Sequence, residues 1–176
     1  MENALRTRNG VAQIKCGLEH VLPFLLDGPC HAILARAHVV YLTRGDLLGQ
    51  AISRHRAITA GVHQARGAET ATGAEAPFSL EAIHAQLEHL TQTMAAYEKV
   101  FTVLNIRPMR ITYEQITAET GHVVRDIARL VGVGVKPAAI SGLDAGGHKK
   151  VSGSNNDMLR ARFLAEAPAR AFAATR

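Results

Sequence analysis

The stretch Val39-Val40-Tyr41-Leu42-Thr43-Arg44-Gly45-Asp46-Leu47-Leu48-Gly49-Gln50-Ala51-Ile52-Ser53 decides how this chain folds. Its first part lies within an apolar run over residues 37–42, which has the length and β-branched content of a parallel strand covered on both faces. Its second part opens on Asp46, a residue type that caps helices, and Leu47, Leu48, Ala51 and Ile52 follow at helical spacing. A strand passing at once into a helix is a βα junction, and open α/β sheets bind ligands beyond the carboxyl ends of their strands. Arg44 falls at such an end. Its guanidinium suits a phosphate, and Ser53, farther along the helix, adds a hydroxyl. The alternative for Arg44 is a structural salt bridge, with Asp46 or another carboxylate as partner, and for Ser53 an ordinary helix serine.

On the amino-terminal side, residues 11–16 read as a short strand, with Lys15 near its end. Residues 19–26 read as one or two helical turns closed by Asp27-Gly28-Pro29. The helix opened by Asp46 runs to about residue 66, followed by a Gly- and Ala-rich loop over 67–77. Ser79, with Ala82 three residues on, starts the strongest helix: Ile83, Leu87, Leu90, Met94, Tyr97, Phe101 and Leu104 recur every three or four residues, and it ends near Asn105. Residues 109–113 alternate as a strand, and residues 122–131 form an amphipathic helix stopped by Gly132-Val133-Gly134. Residues 136–156 have the Gly, Ser, Pro and Lys content of an extended loop, and a short helix follows at 157–166. Strands alternating with longer helices predict an α/β fold, a parallel sheet flanked by helices.

The composition is that of one domain over residues 1–176, with a C-terminal tail from 136 of loop plus short helix. At 176 residues and 47% apolar content the chain can bury a sizeable core. The net charge of +5 raises nucleic acid as a partner, but the cations are scattered, and neither an aromatic stacking platform nor a helix-turn-helix or metal-finger pattern accompanies them. No nucleic-acid partner is expected. The two cysteines lack metal-type spacing and read as small hydrophobes, and His84 and His89, five apart, do not share a helical face as ligands. No metal is expected. Neither a membrane span of roughly 20 apolar residues nor a signal peptide is legible, so a cytoplasmic protein without a transmembrane segment is the expectation. Gly-rich phosphate loops and the nucleophile elbow are likewise missing.

The run YLTRGDLLGQAIS (residues 41–53) resembles the 3′-phosphate-binding element of bacterial sulfotransferases of the trehalose 2-sulfotransferase, lipopolysaccharide and nodulation-factor type. NGVAQIK (9–15), RITYEQ (110–115) and KKVSGSNNDMLRARF (149–163) are similar to further stretches of the same family, so the resemblance covers nearly the whole chain. It implies a P-loop-kinase-like sulfotransferase fold, with the first βα unit missing: the family's Pro-Arg-Ser-Gly-Ser/Thr loop, which cradles the 5′-phosphosulfate, does not stand ahead of Asn9. The implied co-substrate is 3′-phosphoadenosine 5′-phosphosulfate, the acceptor a glycan or glycolipid hydroxyl, and the product of truncation a weakly active enzyme or a non-catalytic nucleotide- or glycan-binding remnant.

Residue by residue, the resemblance makes Arg44 and Ser53 ligands of the nucleotide and Lys149 and Lys150 part of a basic loop that closes over it. The alternative for the two lysines is a solvated loop. Lys15 takes the role of the lysine that neutralises the bridging oxygen of the leaving group, against the alternative of a strand-end lysine reaching for solvent. Where other sulfotransferases carry a histidine base this chain has Cys16-Gly17, and Glu19 and His20 are left outside the site. A homodimer is allowed as well, because an uncovered sheet edge presents hydrogen-bonding groups that a second copy can satisfy.

Overall fold

The computed structural model describes residues 10–17, 20, 36–59, 77–145 and 154–167. In chain order they form strand β1 (Val40–Thr43), helices α1 (Leu47–Thr59) and α2 (Leu80–Val103), strand β2 (Met109–Thr112), and helices α3 (Tyr113–Ala118), α4 (Thr120–Leu130), α5 (Pro137–Ala145) and α6 (Ser154–Glu166). The chain groups into two compact units, Met1–Gly45 with Thr93–His148 and Asp46–Gln92 with Lys149–Arg176. Helix α2 contributes its first half to the second unit and its later half to the first.

In the first unit β1 and β2 pair in parallel, Val40 against Met109, Tyr41 against Arg110, Leu42 against Ile111 and Thr43 against Thr112. Helices with a small parallel sheet are what the sequence leads one to expect. The coverage of β1 differs. Tyr41 is buried, whereas Leu42 is 51% exposed and Val40 39%, so the strand is covered on one side only. That side is aromatic: the Tyr41 ring lies 5.1 Å from both Tyr97 and Phe101 of α2, centroid to centroid, and such contacts add about 0.5–1.5 kcal/mol to simple burial.

Helix ends obey local rules. The Ser79 hydroxyl accepts the Ala82 N–H at 3.1 Å, capping α2. At the far end Asn105 turns left-handed with φ 50°, and the N–H groups of Asn105 and Ile106 reach back to Thr102 and Phe101 at 3.2 and 2.8 Å. Helix α4 closes the same way at Gly132, φ 71°, with Val133 bonded to Ala128 at 2.8 Å. Helix α3 was not expected. It carries a capping box in which Thr112 Oγ1 accepts from the Gln115 N–H at 3.1 Å and Gln115 Oε1 accepts from the Thr112 N–H at 2.8 Å.

Two readings of the sequence are corrected. The strand over 11–16 does not form: Ala12 makes an isolated bridge, and residues 12–16 are exposed, Ile14 at 72%. Apolar residues stabilise a strand when one face packs, and residues 12–16 stay exposed. Within the expected loop over 136–156, helix α5 forms, because Pro137 is pre-set for the first helical turn, Ala138 and Ala139 favour helix, and Ile140 is buried. Helix α6 also starts at Ser154, three residues before the expected position.

In the second unit α1, the first half of α2 and α6 share a core. Ile52, Ile83 and Leu159 are fully buried, joined by Ala51, Leu80, Leu90 and Phe163. Asp46 caps α1 as anticipated, its Oδ1 accepting the Gly49 N–H at 2.9 Å, and its carboxylate also pairs with Arg160 of α6. The buried His55 donates from Nε2 to the Pro77 carbonyl at 2.9 Å, and Arg56 donates to Asn156 Oδ1 at 2.7 Å. The expected continuation of α1 to about residue 66, the loop over 67–76 and the helical turns around residues 19–26, His20 apart, lie outside the described residues. Among the described residues no helix is long and apolar enough to cross a membrane.

Candidate functional site

Parallel pairing with Thr43 opposite Thr112 brings the carboxyl ends of β1 and β2 side by side. The residues just past the two ends therefore meet: Arg44 and Gly45 after β1, Tyr113 and Glu114 in the first turn of α3. The Arg44 guanidinium lies over the Tyr113 ring, 5.0 Å from its centroid, and the Gly45 N–H donates to Glu114 Oε2 at 3.0 Å. A cation on an aromatic face gains about 0.5–2 kcal/mol but leaves the N–H donors unspent. The Arg44 Nε is buried and has no hydrogen-bond partner among the described residues.

The Asp46 carboxylate, one partner considered for an Arg44 salt bridge, accepts from the Gly49 N–H and pairs with Arg160. Among the described residues, the remaining chemistry is that of a guanidinium seated on a ring with its Nε donor uncommitted, which suits an anion ligand.

Ser53 lies half-buried on α1 and belongs to the second unit, Arg44 to the first. Lys15 is exposed in an irregular segment, so it does not stand at the end of a strand as the sequence suggests. Lys149 and Lys150 lie outside the described residues. Cys16 is a free, exposed thiol and not the packed small hydrophobe expected of it. Among the described residues no three His, Cys, Asp or Glu side chains cluster as metal ligands would.

Behind the strand ends, Arg110 of β2 forms a two-pronged ion pair with Glu98 of α2, at 2.5 and 2.7 Å, and lies 5.7 Å from the Tyr41 ring centroid. The hydrogen bonds from Arg110 hold the Glu98 carboxyl below its ordinary range and, reciprocally, raise the guanidinium further. Burial pushes the Tyr41 hydroxyl up, with Glu98 and Tyr97 adding to the shift and Arg110 opposing it. Tyr41 is thus a neutral phenol anchoring β1, and its hydroxyl is buried without a partner among the described residues.

Neither Glu114 nor Tyr113 stands out from the sequence as a site residue. The signal is present as Thr-x-x-Gln at 112–115, a helix start that places both residues in a first turn directly after a strand.

The fold and the strand-end guanidinium define an α/β protein whose polar groups gather where parallel strands finish. The family model for Stf0 sulphotransferase matches residues 11–165, and the chain belongs to that sulfotransferase family. No curated protein and no solved structure is significantly similar to the chain.

Proposed function

We propose that the chain, acting as one domain over residues 1–176, binds 3′-phosphoadenosine 5′-phosphosulfate and serves sulfuryl transfer to a carbohydrate or glycolipid hydroxyl. The observation that carries this reading is Arg44: at a strand end, seated on Tyr113, with a buried Nε that no described group accepts from. An anionic oxygen supplies the missing acceptor, and the 3′-phosphate is the anion that the family's co-substrate brings. The P-loop-kinase-like arrangement belongs to the same proposal.

In the reaction the bond between sulfur and the 5′-phosphate oxygen breaks, a bond from sulfur to the acceptor oxygen forms, and the acceptor proton passes to a base. Arg44 holds the nucleotide by its 3′-phosphate, Ser53 donates a hydroxyl, and Lys149 and Lys150 add positive charge over it. Lys15 is the candidate for neutralising the leaving oxygen; its exposure leaves the ammonium accessible. Binding without transfer is the second reading, because Lys15, the candidate for the leaving oxygen, lies in an irregular segment and not at a strand end.

Calorimetry with adenosine 3′,5′-bisphosphate tests the nucleotide site. Arg44→Ala should cost on the order of 1.5–3 kcal/mol of binding, the range for a charged hydrogen bond. Equal affinity in the two proteins would remove Arg44 from the site.

A further inference from the structure

We infer that Glu114 is a positioning residue for Arg44: by holding the Gly45 N–H it fixes the turn that carries the guanidinium, and so sets preference for a 3′-phosphate. This inference rests on the reading of Arg44 proposed above. Gly45 directly follows Arg44 and has no side chain to restrain it, so the backbone there is free to swing unless something else holds it. The Glu114 carboxylate holds it in two ways. It accepts the Gly45 N–H at 3.0 Å, and it lies against the glycine closely enough that a Cβ built there would sit 3.5 Å from Oε2.

The holding group is itself well placed. Glu114 follows Tyr113, the ring under the guanidinium, and Thr112 before it is locked by the capping box with Gln115 and by its register opposite Thr43. One turn of chain therefore carries both the platform for Arg44 and the clamp on the residue after it. A carboxylate near an anion site repels the anion, which makes a purely electrostatic role unfavourable. A clamp needs only the acceptor oxygen, so glutamine can serve in its place.

The test compares binding of adenosine 3′,5′-bisphosphate and adenosine 5′-monophosphate to the wild type, Glu114→Ala, Glu114→Asp, Glu114→Gln and Arg44→Ala, with the thermal midpoint of each recorded. Glu114→Ala is expected to reduce the preference for the bisphosphate by roughly 3- to 10-fold, as for loss of one solvent-accessible charged hydrogen bond. Glu114→Asp, one methylene too short to reach Gly45, should do the same and stands in if the alanine variant does not fold. Glu114→Gln should keep the preference within about twofold, since its amide oxygen still accepts. Equal losses for both nucleotides, tracking only the fall in thermal midpoint, would show a merely structural role and overturn the inference. So would glutamine falling as far as alanine. If Arg44→Ala leaves the preference intact, the reading of Arg44 fails; if Arg44→Ala abolishes it while Glu114→Ala and Glu114→Asp do not, only the role of Glu114 fails.

Discussion

Replacing Gly49 by alanine pits two effects of opposite sign against each other. Alanine in place of glycine within a helix stabilises by about 0.5–1 kcal/mol. At Gly49, however, a Cβ would collide with the Asp46 carboxylate and lie 2.9 Å from the Arg160 guanidinium. To make room Asp46 must leave its position, giving up its bond to the Gly49 N–H, and such a cap is worth about 1 kcal/mol. Its pairing with Arg160 goes too, worth no more than about 0.5 kcal/mol between side chains 36% and 40% exposed. The losses offset or exceed the gain, so Gly49→Ala should destabilise the protein by up to about 1 kcal/mol. With Asp46→Ala already made, the carboxylate and the cap are both gone and the flexible end of Arg160, freed of its partner, can move aside, so adding Gly49→Ala should stabilise by about 0.5–1 kcal/mol. Urea unfolding followed by circular dichroism on the four proteins reads this reversal directly. A Gly49→Ala chain more stable than the wild type, by as much as in the Asp46→Ala background, would refute the steric reasoning.

The fully buried Ile52 anchors the core of the second unit, and Ile52→Ala should lower stability by about 2–5 kcal/mol in the same unfolding experiment; a loss well under 1 kcal/mol would mean that the site collapses freely. Glu98→Gln tests the pair with Arg110 through pH. The Glu98 carboxyl titrates lower in the folded than in the unfolded chain, so its stabilisation is present above the ordinary carboxylate value and is lost as pH falls through the folded value. The wild type should therefore lose its advantage over Glu98→Gln on acidification below about pH 4.5, and a gap that stays constant across that range would contradict the assignment.

Much of the molecule is written locally. Asp46 and Ser79 as caps, Asn105 and Gly132 as left-handed stops, and the 3.6-residue recurrence along α2 each depend on side chains within a turn or so of one another, and each stands where the sequence places it. The same locality explains α3, whose Thr112–Gln115 box is a signal over four residues that was present to be read. Helix α5 went unread because composition averages over a segment: the glycines and lysines farther on mask a proline start and two alanines.

What the residues near each other in sequence could not decide is which faces would be covered. Val11 to Cys16 reads as a strand, yet residues 12–16 stay exposed, and Leu42 continues an apolar run yet remains half exposed. The parallel register of Thr43 with Thr112 joins positions 69 residues apart in the chain, and only that pairing seats Arg44 on Tyr113 and puts Glu114 on the Gly45 N–H. The sequence by itself determined the caps, the helix stops and the arginine at a strand's end, because these are settled by contacts within a few residues. The tertiary structure alone decided what that arginine rests on and what is left for its Nε to bind, because burial and donor satisfaction depend on groups brought in from elsewhere in the chain.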